Sequence, residues 1–167
     1  MTMEIAKAKE VVYSYLEEQK IPYEVTEHEA VYTMDDMVAL GLDKQGSICK
    51  NLFLKDNKGK RHFLIVADND TKINLKELGE KAGIGKVSFA SPERLKTYLG
   101  VEAGCVSPMG LLNDSEHLVE VILDQKLQGK NRLGVHPNEH TATLWISWQN
   151  LIKVLKSLGN GYKTTRL

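Results

Sequence analysis

The sequence predicts a mixed α/β fold, with a central, largely antiparallel sheet surrounded by helices. Runs rich in β-branched, aromatic and aliphatic residues, at 46–54, 62–67 and 142–146, alternate along the chain with segments whose apolar residues recur at helical spacing, most clearly 4–20 and 147–158. The turn Asp56-Asn57-Lys58-Gly59 joins two of the strand-like runs directly and so predicts a hairpin. Hairpin links beside helical crossovers are the pattern of a mixed sheet packed by helices.

Taking the elements in order, Ile5, Ala8, Val11, Val12, Tyr15 and Leu16 give residues 4–20 one apolar helical face, which Pro22 ends. Residues 23–28 alternate and predict a strand. Thr33 followed by Asp35 and Asp36 has the form of a helix start, because the threonine can cap and the acids suit the helix dipole; that short helix stops at Gly41. Residues 46–54 form the strand around Lys50. Alternation sets Ile48, Lys50, Leu52 and Leu54 on one face and Cys49, Asn51 and Phe53 on the other. Residues 62–67 are apolar on both faces and predict a central strand. Asn74 to Glu77 starts a helix that stops near Gly83, 87–90 is a short strand, and Ser91-Pro92-Glu93 caps a helix that Gly100 closes. Residues 104–110 read as a loop, 118–123 as a strand and 129–134 as a turn region. Residues 142–146 are a strand, and Ser147 caps a last helix that Gly159 stops.

Composition narrows the classes of function. Lys plus Arg and Asp plus Glu balance at 22 each, which argues against a broadly basic nucleic-acid-binding surface but leaves room for a local patch. The basic hairpin tip Lys55, Lys58, Lys60 and Arg61 has the look of a solvated turn. No apolar run approaches ~20 residues, so no membrane partner is expected. The N-terminus leads into an amphipathic pattern and not a signal peptide. Two distant cysteines, Cys49 and Cys105, suit reduced thiols in the cytoplasm. With 42% apolar and 26% charged residues, 1–167 reads as one globular domain.

The residues able to carry chemistry are dispersed: Lys50-Asn51 in a strand, the Gly/Pro loop 104–110, and Gly134-Val135-His136-Pro137. Glycines let a backbone pass close to a ligand, and the residue before a proline is held extended. Together they can form a pocket with backbone N–H donors and one fixed cation. From these residues alone a strained structural corner explains them as well. His136 and His140 lack a third ligand, so no metal is expected.

Four stretches change that balance. Gly46 with residues 49–56, then Phe89 to Leu95, then Gly104 with Val106-Ser107-Pro108, Gly110-Leu111 and Asn113-Asp114, and finally His136-Pro137 with Thr141-Ala142-Thr143 resemble, in the same order, the YbaK/ProX family. These are free-standing relatives of the editing domain of prolyl-tRNA synthetase. The likeness runs from about residue 4 to 160, and the Val-Ser-Pro loop followed by Asn-Asp is most similar to the PrdX branch, which removes alanine from tRNA(Pro). The resemblance implies hydrolysis of the ester between a mischarged amino acid and the tRNA 3′ end, with no cofactor. A ribose hydroxyl and an ordered water would assist, without a protein nucleophile. It implies the tRNA(Pro) acceptor end as partner, prolyl-tRNA synthetase as a second, and a cytoplasmic location.

By position, Lys50 matches the functional lysine and Asn51 its neighbour. Gly134, His136 and Pro137 match the Gly-x-His-Pro loop facing the aminoacyl end. Lys50, Gly134 and His136 are thereby the implied catalytic set. Asn51, Val31, Thr33, Ser107, Pro108, Pro137 and His140 are the implied substrate-binding set. His140 stands where the family usually has asparagine; both donate a hydrogen bond, but they differ in size and titration. A deacylase for cysteine or serine on tRNA, and a non-catalytic RNA- or synthetase-binding module, are the alternatives.

Overall fold

The computed structural model describes residues 2–167, and their side chains from Ala8 onward. Its elements are α1 (Thr2–Glu18), β1 (Glu24–Glu27), α2 (Met34–Ala39), β2 (Ser47–Asp56), β3 (His62–Asp68), α3 (Leu75–Lys81), β4 (Val87–Phe89), α4 (Pro92–Leu99), β5 (Val119–Asp124), β6 (Leu133–Val135), β7 (Ala142–Ile146), α5 (Trp148–Leu158) and β8 (Tyr162–Thr165). The strands make one mixed sheet ordered β1-β7-β6-β2-β3-β5-β8, with β4 also on β2. β1·β7, β2·β3, β2·β4 and β6·β7 are antiparallel; β2·β6, β3·β5 and β5·β8 are parallel. Among the described residues no helix is long and apolar enough to cross a membrane.

The local chemistry is the expected one. Thr33 and Asp36 form a reciprocal capping box on α2, the Asn74 side chain accepts from Glu77 N–H, and Ser91 and Ser147 cap α4 and α5. The left-handed Gly100 and Gly159 close those two helices. In the β2–β3 hairpin the Asp56 carboxylate accepts from the N–H groups of Lys60 and Arg61. β3 is buried from His62 to Ala67, as a strand covered on both faces must be.

The two faces of the sheet carry different cores. On one, Cys49, Phe53, Leu64, Val66, Val121 and Leu123 pack with Val12 and Leu16 of α1, Leu95 and Leu99 of α4, and Leu151, Val154 and Leu155 of α5. The other face has two smaller clusters. Ile48 and Trp145 pack with Val31, Met37 and Leu42, whereas Leu54, Phe63 and Ile65 pack under Leu78 of α3 and its C-cap residue Ala82. Lys50 falls between Ile48 of one small cluster and Leu52 of the other.

Some expectations are corrected. α1 ends at Glu18, before Pro22, because Lys20 turns left-handed and the Ile21 N–H bonds back to Leu16. Val11 is 51% exposed, since it is rotated off the Val12–Leu16 stripe; the side chain of Ile5 lies outside the described residues. The loop 104–110 passes into a 3₁₀ helix over Pro108–Asn113, capped by Ser107. The turn region 129–134 conceals the start of β6, and β8 follows the last helix. Both strands are too short for alternation to declare them.

Gly134 owes its place to Trp145. A Cβ there would lie 2.7 Å from Trp145 Cζ3 and 3.0 Å from Ile48 Cδ1, and one on Gly46 would lie 2.7 Å from the same Trp145 atom. The indole rests on both glycines and donates from Nε1 to the Thr26 hydroxyl at 2.9 Å. Gly134→Ala is therefore expected to destabilise by about 1–3 kcal/mol through overpacking, read in a thermal melt as a fall of roughly 2–12 °C.

Candidate active site

β2 is paired unequally along its two edges. On one, β3 runs in register from Cys49↔Asp68 to Lys55↔His62. On the other, parallel β6 covers only Ser47 and Ile48, and β4 covers Leu54 to Asp56. Between them, residues 49–52 face no strand on that edge. A cleft of about 200 Å³ opens there, lined by Val31, Tyr32, Thr33, Met34, Met37, Cys49, Lys50, Asn51, Gly104, Val106 and His136. Because it lies along an open edge, it collects side chains from both faces of β2. That is how Lys50 and Asn51, adjacent and oppositely directed, meet in one site.

Lys50 is half-buried, and its ammonium donates to the Thr71 carbonyl at 2.5 Å. Thr71 is itself held, its hydroxyl donating to the buried Asp124 carboxylate at 2.6 Å. The same carboxylate accepts from the Asp68 and Lys126 N–H groups. Asp124 and Thr71 thus fix the lysine head from outside the cleft, a support that the sequence alone does not reveal. Asn51 Oδ1 and His136 Nδ1 are buried and have no protein hydrogen-bond partner.

The loop after β6 is tied down from behind. The Ser107 hydroxyl donates to the His136 carbonyl at 2.5 Å and accepts from the Met109 N–H at 3.1 Å. Asn138, left-handed at φ 65°, donates from Nδ2 to the Met109 carbonyl. The buried Glu139 carboxylate accepts from the Thr141 hydroxyl and lies 3.4 Å from Lys9 Nζ of α1. His140 donates from Nδ1 to the Val31 carbonyl at 2.9 Å, and its ring lies against Tyr32. Burial, then the nearby His140 and His28, push the pKa of His136 down to about 4, with the Glu139 backbone opposing. His136 is therefore a neutral imidazole at pH 7. Burial pushes the thiols of Cys49 and Cys105 up to about 12, so neither is a thiolate nucleophile at neutral pH.

The anticipated residues divide into two groups. Val31, Thr33, Lys50, Asn51 and His136 line the cleft. Ser107, Pro108 and Pro137 are buried away from it, and Gly134 is paired to both β2 and β7 beneath Trp145. His140 forms the layer behind Tyr32. Sequence reasoning missed Tyr32, Met34, Met37 and Cys49 as lining residues, whereas Gly104 and Val106 belong to the loop 104–110 that it placed at the pocket. For Gly104 the signal was present: it is left-handed at φ 89°, and a Cβ there would stand 3.1 Å from His140 Cε1.

Comparison with known proteins gives a consistent result. Residues 28–154 match the aminoacyl-tRNA editing domain. The chain is 46% identical over 160 residues to a prolyl-tRNA editing protein ProX of Acetoanaerobium sticklandii, covering 96% of this chain and 98% of that one. It is 33% identical over 141 residues to prolyl-tRNA synthetase associated domain-containing protein 1 of Mus musculus, covering 82% and 83%. A solved structure described as a candidate trans-editing enzyme for prolyl tRNA synthetase superposes with a TM-score of 0.71 at 19% identity, over 96% of this chain and 97% of that one, a likeness of fold.

The buried histidine has a consequence for stability. In the unfolded chain an imidazole protonates near pH 6.5, whereas His136 in the fold stays neutral down to about 4. Between these values the unfolded state holds the extra proton, so stability falls as pH is lowered from about 6.5 to about 4. His136→Gln should flatten that decline by at most about 3 kcal/mol, measured by urea unfolding at stepped pH.

Proposed function

The chain belongs to the aminoacyl-tRNA editing domain family, and from that premise we propose that it clears alanine from mischarged tRNA(Pro), acting in trans. It is an aminoacyl-tRNA deacylase: water cleaves the ester between amino acid and terminal ribose, and the tRNA is released intact. The substrate it meets is the tRNA(Pro) acceptor end, with prolyl-tRNA synthetase as the enzyme whose errors it corrects. Its place of work is the cytoplasm, where charged tRNA is used. The observation that carries this reading is the open edge of β2, where the tethered Lys50 ammonium and the unpartnered Asn51 Oδ1 share a cleft with neutral His136.

An ammonium has three donors, and Thr71 takes one. The other two are available to the ester carbonyl oxygen or to the terminal phosphate. Water adds to the carbonyl carbon, negative charge gathers on the carbonyl oxygen, and Lys50 stabilises it there. The C–O bond to the ribose then breaks, and the proton lost by the water passes through the neighbouring ribose hydroxyl to the leaving oxygen. Position and charge suffice because the ester is already reactive. His136 holds no spare proton at pH 7, so it serves as a hydrogen-bonding wall and not as an acid. Gly134, engaged with Ile48 and Trp145 in the sheet, supports the loop, and the oxyanion role falls to Lys50.

The choice of alanine is supported by the walls of the cleft. Val31, Met34, Met37 and Val106 are apolar and suit a methyl group. The Thr33 hydroxyl oxygen accepts from the Asp36 N–H as the cap of α2. Editing is needed because one methylene yields only about 1–3 kcal/mol of discrimination at a synthetic site. Tested on Ala-, Ser-, Cys- and Pro-tRNA(Pro), the protein should hydrolyse the alanyl ester fastest and spare the prolyl ester. Faster release of cysteine or serine would transfer the assignment to that amino acid, and binding without hydrolysis of any would indicate a non-catalytic module.

Two substitutions probe the machinery. Lys50→Ala should slow single-turnover deacylation by about a hundredfold or more, the scale of losing one oxyanion donor, with an unchanged melting temperature. His140→Asn should remain within roughly threefold of wild type, since an amide can donate to the Val31 carbonyl as the imidazole does. His140→Ala should lose more, because that buried carbonyl would be left unpaired.

A further inference from the structure

The cleft ends on one side in an exposed aromatic ring. Tyr32 lines it and yet is 68% exposed, an unusual state for a large side chain that already has a partner. Its ring centroid lies 4.6 Å from that of His140, tilted by 44°. His140 is in turn fixed by its bond to the Val31 carbonyl. The Tyr32 N–H donates to Asp36 Oδ2 at 2.9 Å, the same carboxylate oxygen that closes the α2 capping box through the Thr33 N–H. The ring therefore stands on a braced backbone with an imidazole behind it. Among the described residues, His140 is the aromatic partner that the ring has.

We propose that Tyr32 is a stacking platform for the base of the tRNA's 3′-terminal adenosine, an inference that rests on the deacylase reading above. The scissile ester sits on C2′ or C3′ of the terminal ribose, and the base is attached to C1′ of the same ring. Once the ester is beside Lys50 and Asn51, the base must lie within one sugar ring of the cleft, at its rim. An aromatic face backed on its far side suits a purine there. Such a contact positions the nucleotide without reading its sequence, as is fitting for a 3′ end common to every tRNA. Tyr32 is thus a substrate-positioning residue, with His140 as its support.

The test separates this role from the chemistry. Binding is measured by fluorescence anisotropy with an uncharged, CCA-ended minihelix of the tRNA(Pro) acceptor stem, and with the same minihelix lacking its terminal base. Tyr32→Ala should weaken binding of the complete minihelix by about 5- to 100-fold. Tyr32→Phe and Tyr32→Trp should bind it as wild type does, because the ring and not the hydroxyl is at work. The Tyr32→Ala penalty should vanish with the abasic end. With Ala-tRNA(Pro) as substrate, the loss should appear in KM rather than in kcat. The proposal is overturned if Tyr32→Ala binds the complete minihelix like wild type, if the penalty persists on the abasic one, or if Tyr32→Phe is as weak as Tyr32→Ala. If wild type hydrolyses no aminoacyl-tRNA, the deacylase reading falls, while the binding comparison still decides the stacking role.

Discussion

The site depends on one constraint: β2 is shared between two partners along a single edge and left open between them. β6 needs parallel register at Ser47–Ile48, and β4 needs antiparallel register at Leu54–Asp56. No single strand satisfies both, so residues 49–52 keep an unpaired edge in the middle of an otherwise central strand. An open edge is ordinarily a hazard, because unpaired backbone groups invite other chains. Here α2, the loop 104–106 and the loop that opens at His136 surround it and turn it into a cleft. The opposite edge, fully paired with β3, supplies the rigidity that a precise constellation of side chains requires.

Each boundary of the opening has its own physical cause. At the β6 end, Trp145 lies across Gly46 and Gly134, so the absence of two side chains lets β6 and β7 approach β2 closely. At the other end β4 pairs along Leu54 to Asp56, and just past its last residue the Ala90 N–H bonds to the Phe53 carbonyl. Across the cleft, Asp124 holds Thr71 and Thr71 holds Lys50. The buried groups of this support are paired, while Asn51 Oδ1 and His136 Nδ1, which face the cleft, are not. An unpaired buried polar group costs about 1–3 kcal/mol, and a substrate that supplies partners removes that cost.

How far this was legible in the sequence follows from the range of each signal. Caps and stops are local, and Thr33, Ser91, Ser147, Gly100 and Gly159 mark their helices as expected. Alternation around Lys50 correctly separates Ile48, Leu52 and Leu54 from Cys49 and Phe53. β6 and β8 carry three and four residues and depend on neighbours distant in the chain. The lining was harder still. Met34 and Met37 look like the inner face of a short helix, and Ser107, Pro108 and Pro137 look like site residues although they stand behind it. Which face of a motif meets the ligand is settled by tertiary packing, as Thr71 and Asp124 show, being 53 residues apart and joined by one hydrogen bond.

The charge balance shapes how such a site can recognise RNA. With 22 acids and 22 bases the chain has no large excess field to steer a polyanion from a distance. Even the basic hairpin tip is partly answered, since Arg61 pairs with Glu120 at 2.7 Å. On the proposed reading, attraction comes from short-range contacts close to the ester: the tethered Lys50 ammonium, the polar atoms of Asn51 and His136 that lack a protein partner, and the exposed Tyr32 ring. On that reading phosphate contacts are few, which means little counterion release and a weak dependence of affinity on salt. On the same reading, that suits release of the corrected tRNA. On that reading discrimination belongs to the cleft, and the rest of the fold serves to keep that cleft open.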